Sequence, residues 1–260
     1  MRPQPIAASA SETTKRSDFF PGEVTSLAMS DHVTFTIVGD VAHIAIDDGK
    51  ANALSHSVIA ALHAALDHAA AEAKAVVLSG RPGRFCAGFD LSVIKGGSDA
   101  VHALVKEGAL LTMRVYEFER PVVIACTGHA LAAGAILLMA ADVRIGCAGG
   151  FKIGLNEVAI GMPIPIFAGE LARERLSRRH VTAATALATI YDPQGALDAG
   201  YLDAVVDTDV VDAALERATA LAATLNLRAF GATRATMRSS VAAHVRATLD
   251  QDIGAFFVDA

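Results

Sequence analysis

Between Ala130 and Ala141 the chain carries no polar or charged side chain. A helix that is apolar on every side must be buried all round, in a large core or in a bilayer. This run is about two-thirds of the length a membrane span needs, so it belongs inside a globular domain. Before it, Pro121 to Cys126 is a short β-rich stretch, Gly128 is placed to break that strand, and Gly134 lets another backbone approach closely. The pattern predicts a strand, a turn of small residues and a buried helix from Ala132, with the unit closing at Asp142. The first N–H groups of such a helix have no partners within it and can face a developing negative charge. The same residues also fit a plain core αβ unit whose glycines serve packing alone.

The remaining chain must cover this helix. Its 260 residues, 53% hydrophobic and 19% charged, suffice for one large domain or two small ones with a sizeable core. Trp is absent and aromatics are 5%, so Ala, Val, Leu and Ile do the packing. The net charge of −6, with no basic stripe, argues against nucleic acid as a partner. Any anionic ligand must then be met by a few local cations or by backbone N–H groups. Cys86, Cys126 and Cys147 are odd in number and lack CxxC spacing. That argues against a disulfide framework or a zinc cluster and fits a reducing cytoplasm. Residues 1–28 are rich in Ser, Thr, Pro and charge and lack the apolar centre of a secretory signal. They read as a flexible extension. Met29-Ser-Asp31 is a plausible native start, which would make the residues before it an upstream-start artefact.

Alternation predicts strands at 32–38 and 41–46 around a Gly39-Asp40 turn. A helix follows a Ser55 or Ser57 cap, with Val58, Leu62, Ala65, Leu66 and Ala69 on its apolar face. Residues 75–78 read as a buried strand, 79–90 as a glycine-punctuated loop and 100–118 as a helix. After the central unit come short strands at 143–146 and 151–153 and a loop at 154–157. Pro163 and Pro165 then break the chain before a helix at 168–176. The remainder reads as helices at 180–190, 208–225, 230–239 and 241–257. Strands alternate with helices to about residue 165 and helices follow, which is an α/β domain with a helical C-terminal portion.

Three places can carry chemistry. In the loop Arg84–Leu91, Gly88 permits a positive φ, after which the Phe89 N–H can point into a cleft; an ordinary βα loop fits as well. The N–H groups near Ala132–Gly134 can supply a second donor. Glu157 lies among Ile153, Leu155, Val158, Ala159 and Ile160. An acid in such surroundings has its pKa raised toward that of a useful base, although a surface loop glutamate is the commoner case. His129 has no Ser or Cys to pair with, His180 reads as a polar helix start, and Cys86 and Cys126 read as small buried hydrophobes. There is no GxGxxG motif, no P-loop and no metal-ligand spacing.

Together these residues resemble the enoyl-CoA hydratase/isomerase (crotonase) superfamily over roughly residues 32 to 205. The matching segments are Asn52-Ala-Leu54, Phe85-Cys-Ala-Gly-Phe-Asp-Leu91, Thr127 to Gly134 with Ala141-Asp142, and Asn156 to Gly161 followed by Pro163. The resemblance implies a crotonase-like spiral of ββα units over 29–205, with a helical trimerisation region at 206–260. It also implies a homotrimer or dimer of trimers that binds acyl-CoA thioesters, with no cofactor beyond the coenzyme A of the substrate. By position, the two N–H donors that hold a thioester enolate fall on Phe89 and Ala133, and the second family glutamate falls on Glu157. The acyl-CoA would lie along Lys50, Ala51 and Ala53, along Ala87, Asp90 and Leu91, and against Gly134, Ile136 and Asn156, with Lys50 as a phosphate contact.

One departure bears on the reaction. Hydratases of the family use two glutamates, and the first falls on Ile136, which cannot activate water. A single glutamate at the second position resembles the family's Δ3,Δ2-enoyl-CoA isomerases. The expectation is therefore an isomerase. The alternatives are an enoyl-CoA hydratase with a non-standard water-activating group and a non-catalytic acyl-CoA-binding protein. Ala133, where the family usually has glycine, keeps the N–H but can narrow the thioester site.

Overall fold

The structure is a computed structural model that describes residues 25–94 and 97–255. Val33–Val38 (β2) and Val41–Ile46 (β3) form the hairpin that the alternation requires, turning at Gly39 with φ of 59°. Thr25–Ser30 (β1) pairs antiparallel with β2. The sheet therefore begins inside the segment read as an extension ending at residue 28; residues 1–24 lie outside the described ones.

His56–Glu72 (α1) starts at Ser55, whose side chain accepts the Val58 N–H at 3.3 Å. Ala75–Ser79 (β4) and Gly83–Cys86 (β5) follow, then the helices Leu91–Ile94 (α2) and Ser98–Glu117 (α3). The central unit is Val122–Cys126 (β6), Gly128–Leu131 (β7) and Ala133–Ala140 (α4). Val143–Cys147 (β8) and Ile153–Gly154 (β9) lead to a short 3-10 turn at Val158–Ile160. The chain ends as Ile166–Arg175 (α5), Val181–Ala184 (α6), Pro193–Ala199 (α7), Ala204–Val206 (β10), Val210–Thr224 (α8) and Leu227–Ala255 (α9).

Two sheets result. The larger has the order β1-β2-β3-β4-β6-β8-β10, antiparallel through β3 and parallel beyond it. The smaller, β5-β7-β9, is wholly parallel. It is built from pieces read on sequence as loop, turn and short strand. Its strands of 4, 4 and 2 residues are too short for alternation to register. Gly128 does not end a strand but lets two of them meet: a Cβ there would lie 2.1 Å from the Gly83 backbone.

Helix α4 is buried along its whole length, as its composition demands. Its last carbonyls need partners, and Arg175 provides them, donating from Nε to Met139 at 3.0 Å and from Nη2 to Ala141 at 2.6 Å. Asp142 then accepts the Val122 N–H at 2.8 Å and pairs with Arg234 and Arg238 of α9. Helix α9 is continuous where the sequence suggested two pieces: Ser239 and Ser240 stay helical and exposed, since serine lowers helix propensity without breaking it. The helix read at 180–190 is only α6: Thr185 leaves the helical conformation with φ of −98° and ψ of −80°, and the chain then turns at Ala188 with φ of 47°. Among the described residues no helix is long and apolar enough to cross a membrane.

Candidate active site

All three strands of the small sheet run to one place, and the loops beyond their C-terminal ends make the site. Beyond β5 come Ala87 and Phe89, beyond β7 Ala132 and Ala133, and beyond β9 Asn156 and Glu157.

The first loop is held by Asn52, which is fully buried with φ of 54°. Its Nδ2 donates to Ile46 at 2.9 Å, Arg84 at 3.0 Å and Phe85 at 3.2 Å, while its Oδ1 accepts the Asp48 N–H at 3.0 Å. The strand ends of β3 and β5 are thereby tied to one amide. Next to it, the Leu54 N–H donates to Gly88 at 2.8 Å and the Leu54 carbonyl accepts the Asp90 N–H at 3.0 Å. In a parallel bridge of this kind the residue between those partners, Phe89, turns its own N–H to the opposite side.

The second loop abuts the first. Gly88 has φ of 101°, and a Cβ on it would lie 3.0 Å from the Ala132 Cβ and 3.6 Å from the Ala133 nitrogen. Ala132 itself has φ of 50°, a conformation a side chain resists, and its N–H is spent on Gly154 at 3.1 Å. The turn leaves Ala133 as the first residue of α4. Among the described residues, neither the Phe89 nor the Ala133 N–H has a protein acceptor. Two such donors side by side can hold an oxygen that gains negative charge.

Glu157 follows β9 and is 5% exposed. Its carbonyl accepts the Ile160 and Met162 N–H groups at 3.0 and 2.9 Å, which sets the tight turn around it. Its Oε2 is buried with no partner, as is the Oδ1 of Asn156. Burial pushes its pKa up to about 7, against the weaker pull of the N–H groups of Glu157 and Asn156. The carboxyl thus exchanges a proton near neutral pH.

A cavity of about 320 Å³ joins these groups. Ala87, Phe89 and Ala132 contribute to it from the strand ends, and Val105 and Ile136 from α3 and α4. Ile160, Met162, Pro165 and Phe167 complete the wall, and Asn156 and Glu157 are its polar members. The α5 side of that wall is fixed from a distance: the Ile166 N–H donates to Asp252 of α9 at 2.7 Å. A larger cavity of about 420 Å³ lies against α3 and α9, where Arg114 and Arg246 are already paired with Asp67 and Glu117.

Of the residues singled out on sequence, Ala87, Phe89, Ile136, Asn156 and Glu157 meet around the cavity, and Ala133 borders it through Ala132. Others lie behind it. Ala51 accepts the Ala87 N–H at 3.1 Å, and the Ala53 N–H donates to Asp48 at 3.1 Å, so both brace the loop. Asp90 accepts the Ser92 N–H at 2.8 Å. Gly134 is a packing glycine, since a Cβ there would lie 2.2 Å from the Cys86 carbonyl. Lys50 is exposed, and its carbonyl takes Arg81 at 3.1 Å. The side chain of Leu91 lies outside the described residues. Val105, Met162, Pro165 and Phe167 were not read as site residues; nothing distinguishes them in sequence from ordinary core positions. Among the described residues no cluster of His, Cys, Asp and Glu can hold a metal ion.

The family model described as enoyl-CoA hydratase/isomerase matches residues 36–257. Human mitochondrial enoyl-CoA delta isomerase 1 is 30% identical over 183 residues, 70% of this chain and 61% of that one. A probable enoyl-CoA hydratase of Bacillus subtilis is 36% identical over 155 residues, 58% of this chain and 57% of that one. The matched region thus spans about three-fifths of the length of those two relatives. The crystal structure of an enoyl-CoA hydratase/isomerase family protein from Pseudomonas syringae superposes with a TM-score of 0.85 at 38% identity, covering 88% of this chain and 100% of that one. The chain belongs to the enoyl-CoA hydratase/isomerase family.

Proposed function

We propose that the protein is an enoyl-CoA isomerase that moves a double bond from Δ3 to Δ2 with Glu157 as its only acid–base group. In this reading the thioester carbonyl of the substrate sits against the Phe89 and Ala133 N–H groups. The Glu157 carboxylate takes a proton from C2, and the electron pair shifts into an enolate whose oxygen the two N–H groups hold. The same carboxyl then returns the proton to C4, the double bond forms between C2 and C3, and Glu157 is a carboxylate again. No water enters and no other group changes protonation.

The observation that carries the proposal is the solitary acid. Glu157 has an unpartnered oxygen in an apolar cavity, and Ile136, 2% exposed, stands where a second glutamate would be needed to activate water. A pKa near 7 suits a group that must both take and give a proton at neutral pH. The test is turnover of 3-enoyl-CoA against hydration of 2-enoyl-CoA by the same preparation. Isomerisation without comparable hydration supports the assignment. Efficient hydration that survives Glu157→Gln refutes it. Acyl-CoA binding with no turnover of either substrate identifies a non-catalytic binding protein.

A further inference from the structure

Helix α3 carries a single glycine, Gly108, in the middle of its 20 residues. Glycine weakens a helix interior relative to alanine, so its place there calls for a reason outside the helix. The reason is the Phe89 ring. A Cβ at the buried Gly108 would lie 2.2 Å from Cε1, 2.5 Å from Cζ and 3.6 Å from Cδ1 of Phe89. The half-buried ring therefore rests one edge on bare helix backbone. Phe89 also lines the cavity of about 320 Å³, as does Val105, three residues before Gly108 and on the same side of α3. The ring is thus a partition, with α3 on one side and the ligand chamber on the other.

Neither support of this partition is free to retreat. The loop backbone is clamped at both neighbours of Phe89: the Leu54 N–H donates to Gly88 at 2.8 Å, and the Asp90 N–H donates to the Leu54 carbonyl at 3.0 Å. Helix α3 is tied to α9 through Lys106 with Asp250, Glu117 with Arg246, and the Tyr116 carbonyl with Arg238. Only the side chain is left to answer a methyl group at position 108. The atoms that would meet that methyl are the far end of the ring, which moves by rotation about χ1 and χ2 and needs no backbone change. The helix blocks one direction, and the open space in the other is the cavity.

We propose that Gly108 is a specificity-determining position: it seats the Phe89 ring clear of the acyl path and so sets the length of acyl chain that the cavity accepts. The inference rests on the proposed reading that the acyl chain of a thioester enters this cavity. With the ring seated, the space in front of it is open to methylene groups. A ring displaced by a side chain at position 108 would fill that space itself. The substrate class selected is a 3-enoyl thioester whose chain runs past the four carbons of the simplest member, with an apolar tail to lie against Phe89 and Val105. Gly108 touches no substrate in this arrangement and acts through the ring alone.

The experiment measures affinity for saturated acyl-CoAs from butyryl to dodecanoyl by calorimetry, together with kcat/KM for the matching 3-enoyl-CoAs. It uses the wild type, Gly108→Ala, Phe89→Ala and the double variant. A displaced ring takes the room of about two methylenes, each worth about fourfold in affinity. Gly108→Ala should therefore weaken binding of the longer chains on the order of tenfold, while butyryl-CoA stays within a few-fold. Phe89→Ala, which keeps the backbone N–H, should shift the preference toward longer chains. In the double variant the added methyl has no ring to displace, so its effect on the chain-length profile should vanish. An unchanged profile in Gly108→Ala overturns the proposal. So does an equal loss at every chain length, which would mark a disturbed loop, and so does a shift that persists without the Phe89 ring. Should Gly108→Ala fail to fold, Phe89→Ala decides alone, and a wild-type profile in that variant overturns the proposal. If the wild type binds the series but turns over no 3-enoyl-CoA, the isomerase reading fails by itself and the affinities still decide the seat. If it binds no acyl-CoA at all, the proposal falls with it.

Discussion

Leu54 hydrogen-bonds the two residues that flank Phe89, and by doing so turns the Phe89 N–H away from itself. The donor is therefore aimed by backbone from a segment more than thirty positions earlier. That segment is in turn held by Asn52, so the aim of one N–H depends on a single buried amide.

Asn52 is accordingly expected to act on rate as well as on stability. Asn52→Gly keeps access to the positive φ but loses the three donated hydrogen bonds to Ile46, Arg84 and Phe85. Stability should fall by roughly 1–3 kcal/mol, the cost of unpaired buried carbonyls. The kcat should fall with it, because the Phe89 N–H loses its support. Urea unfolding alongside steady-state kinetics reads both, and a variant with wild-type kcat would show that the amide is structural only.

On the proposed mechanism, Glu157→Gln retains shape and removes the base. Isomerase turnover should fall by about 10²–10⁴-fold while acyl-CoA affinity stays within a few-fold. For the wild type, kcat/KM should rise with pH through about 7 as the carboxylate forms.

The same substitution has a stability signature of definite sign. A carboxyl whose folded pKa is raised to about 7 stabilises the fold at low pH, and that contribution is lost as pH rises through the folded value. Glutamine carries no such dependence. Above pH 7 the variant should be the more stable protein, by up to on the order of 3 kcal/mol, and near pH 4 the difference should vanish. Melting curves at pH 4 and pH 8.5 check this; equal gaps at both would mean that the carboxyl is not desolvated.

Much of this could be read from the chain, and the failures have physical causes. The β2–β3 hairpin and the buried α4 declare themselves through local pattern, whereas the acid at 157, which read locally fits a surface loop as well, stands out through the order and spacing of the matching segments. The small sheet does not, because strands of two to four residues hold no period, and its glycines resemble turn residues until the partner backbone is seen. Val105 and Phe167 meet Glu157 only through tertiary packing of α3 and α5, and a core valine looks the same in sequence as a pocket valine. Lys50 could be singled out only by position along a motif, and its side chain is in solvent.

Gly134 and Gly161 separate two reasons for a glycine. At Gly134 a Cβ would lie 2.2 Å from the Cys86 carbonyl, and backbone cannot yield cheaply. Gly134→Ala should cost 3 kcal/mol or more, roughly the upper end for overpacking, and should perturb the site at its helix N-terminus. Gly161 has φ of 85° with nothing within 4 Å of a Cβ, so Gly161→Ala should cost about 1 kcal/mol from backbone conformation alone. Comparable losses in thermal unfolding would undo the distinction.

Ile136→Ala should widen the cavity at the cost of about 2–4 kcal/mol and shift preference toward bulkier acyl chains more than it lowers the best rate. Ile136→Glu should bring some hydration of 2-enoyl-CoA, since two close carboxyls split their pKa values and can position water. Activity over a series of acyl chains tests the first, and product analysis with 2-enoyl-CoA the second.

Self-association into a trimer or hexamer is expected. Leu187 and Met237 are each 70% exposed, an unfavourable placement for large apolar side chains unless another surface covers them. Sedimentation at micromolar concentration should show no monomer.

The bond between the Ile166 N–H and Asp252 joins a cavity wall to a residue 86 positions later. During synthesis, the strands and both N–H donors emerge well before that carboxylate does. The ligand chamber is then finished among the last of the described segments, once α9 has left the ribosome and laid itself along α5. A partly made chain would therefore carry both N–H donors without the finished wall beside them.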